Sequence, residues 1–149
     1  MAGAARRHGW DPWRELRQRD HLVLGIEQLP DVVGGGVYWP RGDRAAVLID
    51  KRLTRLERLE AVAHELVHDE HGGGCDCEGM PDTWTVVAER AEARVHNEVA
   101  RRLVPLDQLA AMRAIAEVNQ LTLDSWHVAE HFDVPERVAA RAMRLLDVD

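Results

Sequence analysis

Residues 54–74 constrain the fold more than any other stretch of this 149-residue chain. Thr54 and Glu57 have the spacing of a capping box, which starts a helix. Apolar residues then follow at helical spacing: Leu56, Leu59, Val62, Ala63, Leu66 and Val67. The glycines at Gly72–Gly74 end the pattern. The stretch therefore predicts an amphipathic helix with one face built for the hydrophobic core.

The same helix carries two histidines on the side away from its apolar residues. His64, Glu65 and His68 form the sequence H-E-x-x-H, and residues four apart lie on one face of a helix. Two imidazoles placed in this way can bind one metal ion, while Glu65 can take a proton from water that the ion activates. A chance pair of histidines is the alternative, but core histidines more often lie on the apolar side. The motif therefore predicts a metal hydrolase site.

A catalytic zinc site has three protein ligands and keeps a fourth position open. The next predicted helix, from near Thr83 to Leu103, carries Glu89, Glu92 and His96 on one side. Glu92 is one candidate for the third ligand, and Glu89 and His96 are the alternatives. The two glutamates could also be solvated and pair with neighbouring arginines. The residues alone leave this choice open.

The remaining segments predict an α+β protein. The chain is 46% hydrophobic and 30% charged, as expected for a globular protein with a core. A short helix at 12–18, a strand within 21–30 and a hairpin of Val37–Trp39 with Ala45–Ile49 precede the motif helix. We expect a small antiparallel β-sheet, a two-helix zincin-like core around the H-E-x-x-H motif and a helical C-terminal region. The C-terminal helices are predicted at Asp107–Val118, Ser125–Phe132 and Pro135–Leu146.

The predicted domain organisation is a domain at residues 1–106 that contains the metal site and a helical region at 107–149 that packs on it. The segment from Ser125 has the rhythm of a helix-turn-helix motif, which could bind DNA. The net charge of −7 argues against direct nucleic-acid binding. We therefore prefer a helical hairpin that packs on the core or recognises a protein partner.

The sequence also predicts a cytoplasmic protein that does not use a membrane. The N-terminal segment lacks the apolar stretch of a secretory signal, and no apolar run is long enough to span a bilayer. Cys75 and Cys77 are the only cysteines, which is typical of a reduced protein. With His71 they could form a structural metal site, although ordinary loop residues are the simpler interpretation.

Several motifs together resemble the ImmA/IrrE family of metallo-endopeptidases. They are AVAHELVH on the motif helix, E-x-x-V at 92–95, and the helix end ARRLVP at 100–105. The hairpin with AAVLID just before the motif helix is similar as well. The resemblance covers about residues 37–109, and H-E-x-x-H alone is shared by many zincins.

The resemblance implies a zinc-dependent endopeptidase with one catalytic Zn²⁺ per chain, so that residues 1–106 would form a metallopeptidase-like domain. It implies His64, His68 and Glu92 as the metal ligands and Glu65 as the general base. It also implies a protein substrate, namely a helix-turn-helix repressor, often encoded beside the enzyme in a phage or mobile element. Manganese or iron could replace zinc in such a ligand set.

The chain departs from the family pattern at two places. His96 stands where Asn or Asp is usual, and Glu98-Val99 stands where Phe-Ala is common. The first departure leaves His96 as a metal ligand or as a hydrogen-bond donor to the transition state. The alternative function is a binding module that lacks catalysis, keeps the metal and sequesters a transcriptional regulator.

Overall fold

The structure, a computed structural model, describes residues 9–72 and 82–149, and for residues 82–88 it describes the backbone. Helices and a small sheet make up these ranges, and the predicted α+β class is confirmed. In chain order the elements are α1 (Pro12–Gln18), β1 (Leu22–Glu27), a 3-10 turn (Asp31–Val33), β2 (Gly36–Arg41), β3 (Arg44–Asp50), α2 (Arg55–Glu70), α3 (Asp82–Leu103), α4 (Leu106–Val118), α5 (Ser125–Phe132) and α6 (Glu136–Val148).

The sheet is mixed, so the prediction of an antiparallel sheet was wrong in this respect. β2 and β3 form the predicted antiparallel hairpin, with Tyr38 opposite Val47. β1 pairs with β3 in parallel, and the strand order is β1-β3-β2. β2 therefore does not pair with β1, although it follows β1 in the chain. β3 lies between the two strands and pairs with both. Its central position matches its apolar sequence, because Val47 and Ile49 are fully buried.

Contacts between residues divide the described chain into two units. The sheet unit is Pro12–Glu98, and the helical unit combines residues 9–11 with Val99–Asp149. The boundary lies inside α3, whereas the division predicted from the sequence, 1–106 and 107–149, falls just after this helix. That functional division stays a prediction.

In the sheet unit, the predicted motif helix is confirmed as α2. The Thr54 hydroxyl accepts a hydrogen bond from the Glu57 backbone N–H, and the Glu57 carboxylate accepts one from the Thr54 backbone N–H. This capping box satisfies backbone donors that would otherwise lack partners at the first turn. The helix then packs on β2 and β3 through its apolar face. Its buried apolar residues are Leu59, Val62, Ala63, Leu66 and Val67.

In the helical unit, the three predicted C-terminal helices are confirmed as α4, α5 and α6. Their core contains Leu109, Val128 and Phe132, all essentially inaccessible to solvent. The segment at residues 9–11 joins this unit because the Trp10 backbone N–H donates to the Arg102 carbonyl. None of the described helices has the length and apolar character needed to cross a membrane.

A salt-bridged network fixes the segment between β1 and β2 to the end of β3. The Asp50 carboxylate accepts hydrogen bonds from the Arg52 backbone N–H and guanidinium, at 2.7–3.3 Å. Arg52 also donates to the Leu29 carbonyl and contacts Asp31. These contacts hold the pKa of the Asp50 carboxyl well below its usual range, because the hydrogen bonds from Arg52 favour the ionised form.

We expect this network to make the protein sensitive to acid. Since the pKa of Asp50 is lower in the folded state, its stabilising effect is present above the unfolded-state pKa of about 4 and is lost as the pH falls towards the folded-state value. The urea midpoint of unfolding should therefore fall between pH 5 and pH 3 more steeply in the wild type than in Asp50→Asn. Asp43→Asn, at the exposed hairpin turn, is the control and should follow the wild type. Equal pH slopes in all three proteins would contradict the assignment.

Candidate metal centre

Two helices of the sheet unit bring three of the predicted ligands together. His64 and His68 lie one turn apart on α2, and Glu92 lies on α3. The Nε2 atom of His64 is 3.0 Å from Oε2 of Glu92, and the Nε2 atom of His68 is 2.9 Å from Oε1. The two Nε2 atoms are themselves 3.0 Å apart. Three ligand groups therefore surround one point.

The spacing and the chemistry of these groups fit a metal ion. Ligand atoms about 2.0–2.1 Å from a tetrahedral zinc ion lie about 3.3 Å from one another. The observed separations are slightly shorter, at 2.9–3.0 Å. Two imidazole nitrogens that face each other can share only one proton, whereas a cation between them would satisfy both nitrogens and the carboxylate. The group can hold a metal ion.

His96 lies beside this group on α3. Its ring centroid is 4.7 Å from that of His64, and the ligand atoms of His64, Glu92 and His96 all lie within 4.8 Å of one another. Glu89, the other alternative ligand, is exposed and is not a member of this described cluster. The structure therefore brings His96 to the site together with Glu92 and leaves Glu89 on the surface.

The environment of His64 favours its neutral form, which is the form that can bind a metal ion. Burial lowers the pKa of its imidazole to about 4, although the Glu92 carboxylate acts in the opposite direction. Its Nε2 atom faces the other ligands. Its Nδ1 atom is buried and has no hydrogen-bond partner within the described residues. Metal-bound histidines usually donate this second ring N–H to an acceptor. His64 differs from most metal-binding histidines in this respect.

Glu65 is a buried carboxylate on the flank of the helix that carries the histidines. Only 5% of the residue is exposed. Burial raises the pKa of its carboxyl to about 8, and the negative charge of Glu92 adds to the rise. A carboxylate in this environment binds a proton more tightly than one in water does. It is chemically suited to act as a base, and a cation nearby would favour its ionised form.

β2 approaches Glu65 closely because Gly36 has no side chain. A Cβ atom at this position would lie 3.1 Å from Oε1 of Glu65 and 3.2 Å from Cδ1 of Ile49. No role for Gly36 was predicted from the sequence. The position of Gly36 directly before the hairpin is a weak signal, since nothing local shows which residue it faces.

A network around Asp69 was also missed by sequence reasoning. Asp69 follows His68 and is nearly buried, and its carboxylate accepts hydrogen bonds from Arg19 and from the Tyr38 hydroxyl, at 2.8 and 2.9 Å. Arg19 also donates to the Leu66 carbonyl of α2. These contacts attach the last turns of α2 to the chain after α1 and to β2, which helps to fix the position of His68.

The second predicted metal cluster, His71 with Cys75 and Cys77, lies partly outside the described residues. Cys75 and Cys77 lie outside the described residues. The His71 imidazole contacts the Glu98 carboxylate on α3, with 3.3 Å between Nε2 and Oε2.

No family model matches the chain, and no curated protein matches it significantly. The resemblance to the ImmA/IrrE family therefore depends on the motifs quoted above and stays a prediction.

Proposed function

We propose that the chain is a zinc-dependent endopeptidase. The observation that supports the proposal is the convergence of His64, His68 and Glu92, with their ligand atoms within 3.0 Å of one another, beside the buried carboxylate of Glu65. Two imidazoles, one carboxylate and an adjacent base are the set that hydrolytic zinc sites of the H-E-x-x-H type use.

In this proposal each residue has a defined task. His64, His68 and Glu92 would hold the ion. The chemistry that a bound divalent ion supplies is Lewis acidity, which makes water acidic near neutral pH and polarises a carbonyl group. Glu65 takes the proton from the attacking water and later delivers it to the nitrogen of the leaving amine. The burial of Glu65 helps, because bulk water does not compete for that proton.

An extended peptide is the substrate form that suits the sheet. β2 is an edge strand of the sheet, and its Gly36 lies next to Glu65. A peptide that pairs with the outer edge of β2, which no other described strand occupies, would run past the proposed base, and main-chain hydrogen bonds would hold it extended. The family resemblance points to a repressor-like regulatory protein as the natural substrate.

The proposal is tested by a search for cleaved proteins. Purified chain, loaded with Zn²⁺, is incubated with an extract of the organism that encodes it and with repressors encoded beside it, and new N-termini are mapped. We expect new termini with the wild type and an intact, captured partner with Glu65→Gln. An intact partner with both proteins would reject the endopeptidase and favour the regulator-sequestering module. Cleavage by both proteins would reject the role of Glu65.

Gly36→Ala should lower the cleavage rate without removing the metal. The new Cβ would displace the Glu65 carboxylate by a few tenths of an ångström, and displacements of the order of an ångström can cost about a hundred-fold in rate. We therefore expect a fall of about ten-fold. The control is Gly35→Ala, whose Cβ would meet only the flexible tip of Leu53 and the Ala61 methyl. Equal rates for the two variants would show that the approach of β2 does not position Glu65.

A further inference from the structure

We propose that His96 is a fourth protein ligand of the ion held by His64, His68 and Glu92. The centre would then offer three imidazole nitrogens and one carboxylate. The inference rests on the metal centre of the proposed function, but it does not depend on peptide hydrolysis. It extends the ligand set to a residue at which the chain departs from the family that it resembles.

The candidate ligands lie in pairs on their helices. His64 and His68 are four residues apart on α2, and Glu92 and His96 are four residues apart on α3. Residues with this spacing share one face of a helix. Each helix therefore presents a pair of metal-binding groups, and the ligand atoms of His64, Glu92 and His96 lie within 4.8 Å of one another.

A polar residue beside a metal-binding histidine often has an indirect role. Such a residue commonly accepts a hydrogen bond from the ring nitrogen that does not bind the metal. The His96 ring lies against the His64 ring, with centroids 4.7 Å apart and planes inclined at 43°. The buried Nδ1 atom of His64 nevertheless has no hydrogen-bond partner in the described part of the chain. His96 is thus not the acceptor for His64 in this structure, and its position beside His64 and Glu92 is that of a direct ligand.

The fourth ligand has a consequence for the ion. A tetrahedral ion with four protein ligands has no position for water, as in structural zinc sites. A hydrolytic centre with this set therefore needs an ion with more than four ligands, or a fourth ligand that can leave. Both cases make His96 a determinant of the ion's affinity and coordination number, properties that can be measured without any substrate.

The experiment is a metal titration of the metal-free full-length protein. Co²⁺ is added to the wild type, His96→Ala and His96→Asn, and the visible absorption bands, which report coordination number, are recorded. Zn²⁺ affinity is measured by competition with a coloured chelator. We expect both His96 variants to bind Zn²⁺ at least about ten-fold more weakly, since even the loss of an outer partner costs that much. The Co²⁺ bands should change shape and intensity. His96→Asn keeps a polar side chain, and circular dichroism verifies that both variants are folded.

Glu89→Gln is the matched control, since Glu89 lies on the same helix but is exposed. It should leave the Zn²⁺ affinity and the Co²⁺ bands unchanged. Wild-type affinity and wild-type bands in both His96 variants would overturn the inference, while the metal centre and the proposed function would stand. A wild-type protein that binds neither Zn²⁺ nor Co²⁺ would overturn the inference and the proposed metal centre together.

Discussion

Replacing His68 with alanine is expected to remove the bound ion from the chain. Native wild-type protein should carry about one zinc ion per chain, as a site of this type binds one ion. His68 supplies one of the three converging ligand groups, with its Nε2 atom 2.9 Å from Glu92 and 3.0 Å from His64. Its loss should weaken binding by at least about a hundred-fold, so that little zinc survives purification. Elemental mass spectrometry of the purified proteins measures the metal content.

Two comparisons make this result specific. His131→Ala removes an exposed histidine from α5 in the helical unit and should keep the full metal content. Zinc that persists in His68→Ala would place the ion elsewhere, with His71, Cys75 and Cys77 as the next candidates. No zinc in the wild type, even after reconstitution, would mean that the H-E-x-x-H sequence is not a functioning metal site.

Zinc binding should also change the thermal stability of the protein. An ion that binds only the folded chain stabilises it, by about 2.7 kcal/mol when its concentration is a hundred times the dissociation constant. Added Zn²⁺ should therefore raise the midpoint of thermal unfolding of the wild type and leave that of His68→Ala nearly unchanged. Because α2 and α3 each supply ligands, the gain should appear in the sheet unit, to which all the ligands belong.

The elements with local signals could be predicted from the sequence. The sequence of α2 has a capping box, apolar residues at helical spacing and glycines after its last turn. The helix in the structure, Arg55–Glu70, agrees with these signals. The β2–β3 hairpin follows from its turn and its short apolar strands. These signals depend on neighbouring residues, so no knowledge of the fold was needed.

Features that depend on distant pairing could not be predicted. The parallel partner of β1 is β3, and a strand of six residues carries no mark of whether its partner runs parallel or antiparallel. The hydrogen bond from Arg19 to Asp69 joins residues 50 positions apart. Arginine and aspartate are common on protein surfaces, so their pairing becomes visible only when the fold brings them together.

The candidate site is an intermediate case. The spacing of His64 and His68 predicts a shared ligand position directly, because both lie on one helix. The choice among Glu89, Glu92 and His96 depends on how α3 is rotated relative to α2. The three share one side of a helix in the sequence, yet Glu89 is exposed and the other two lie near His64. The spacing of the residues therefore predicted the set of candidates, and only the family resemblance singled out Glu92.

Glu65→Gln is expected to keep the metal and to lower the rate of peptide hydrolysis by at least about a hundred-fold. Positioned general bases contribute about 10²–10⁴-fold to enzymatic rates. Glutamine has nearly the same shape as glutamate, so it should fit the space beside Gly36 that Glu65 occupies. It cannot take a proton from water. The expected kinetic result is a lower kcat with a KM close to that of the wild type, since Glu65 acts on the transition state rather than on substrate binding.

The same substitution should not destabilise the protein, which separates a catalytic role from a structural one. Glu65 is buried, and its raised pKa reflects the free-energy cost of keeping a charged carboxylate away from water. A neutral amide avoids that cost. Urea unfolding of metal-free Glu65→Gln at neutral pH should therefore give a midpoint equal to or higher than that of the wild type.

The combination of these measurements identifies what Glu65 does. Unchanged metal content, unchanged or higher stability and a hundred-fold lower kcat are the results expected if the carboxylate takes part in the chemical step. Normal hydrolysis by the glutamine variant would mean that another group takes the proton from water. A loss of metal in this variant would instead make Glu65 part of the ion's binding site. Because Glu65 is nearly inaccessible to solvent and lies beside the ligand histidines on α2, we expect the first result.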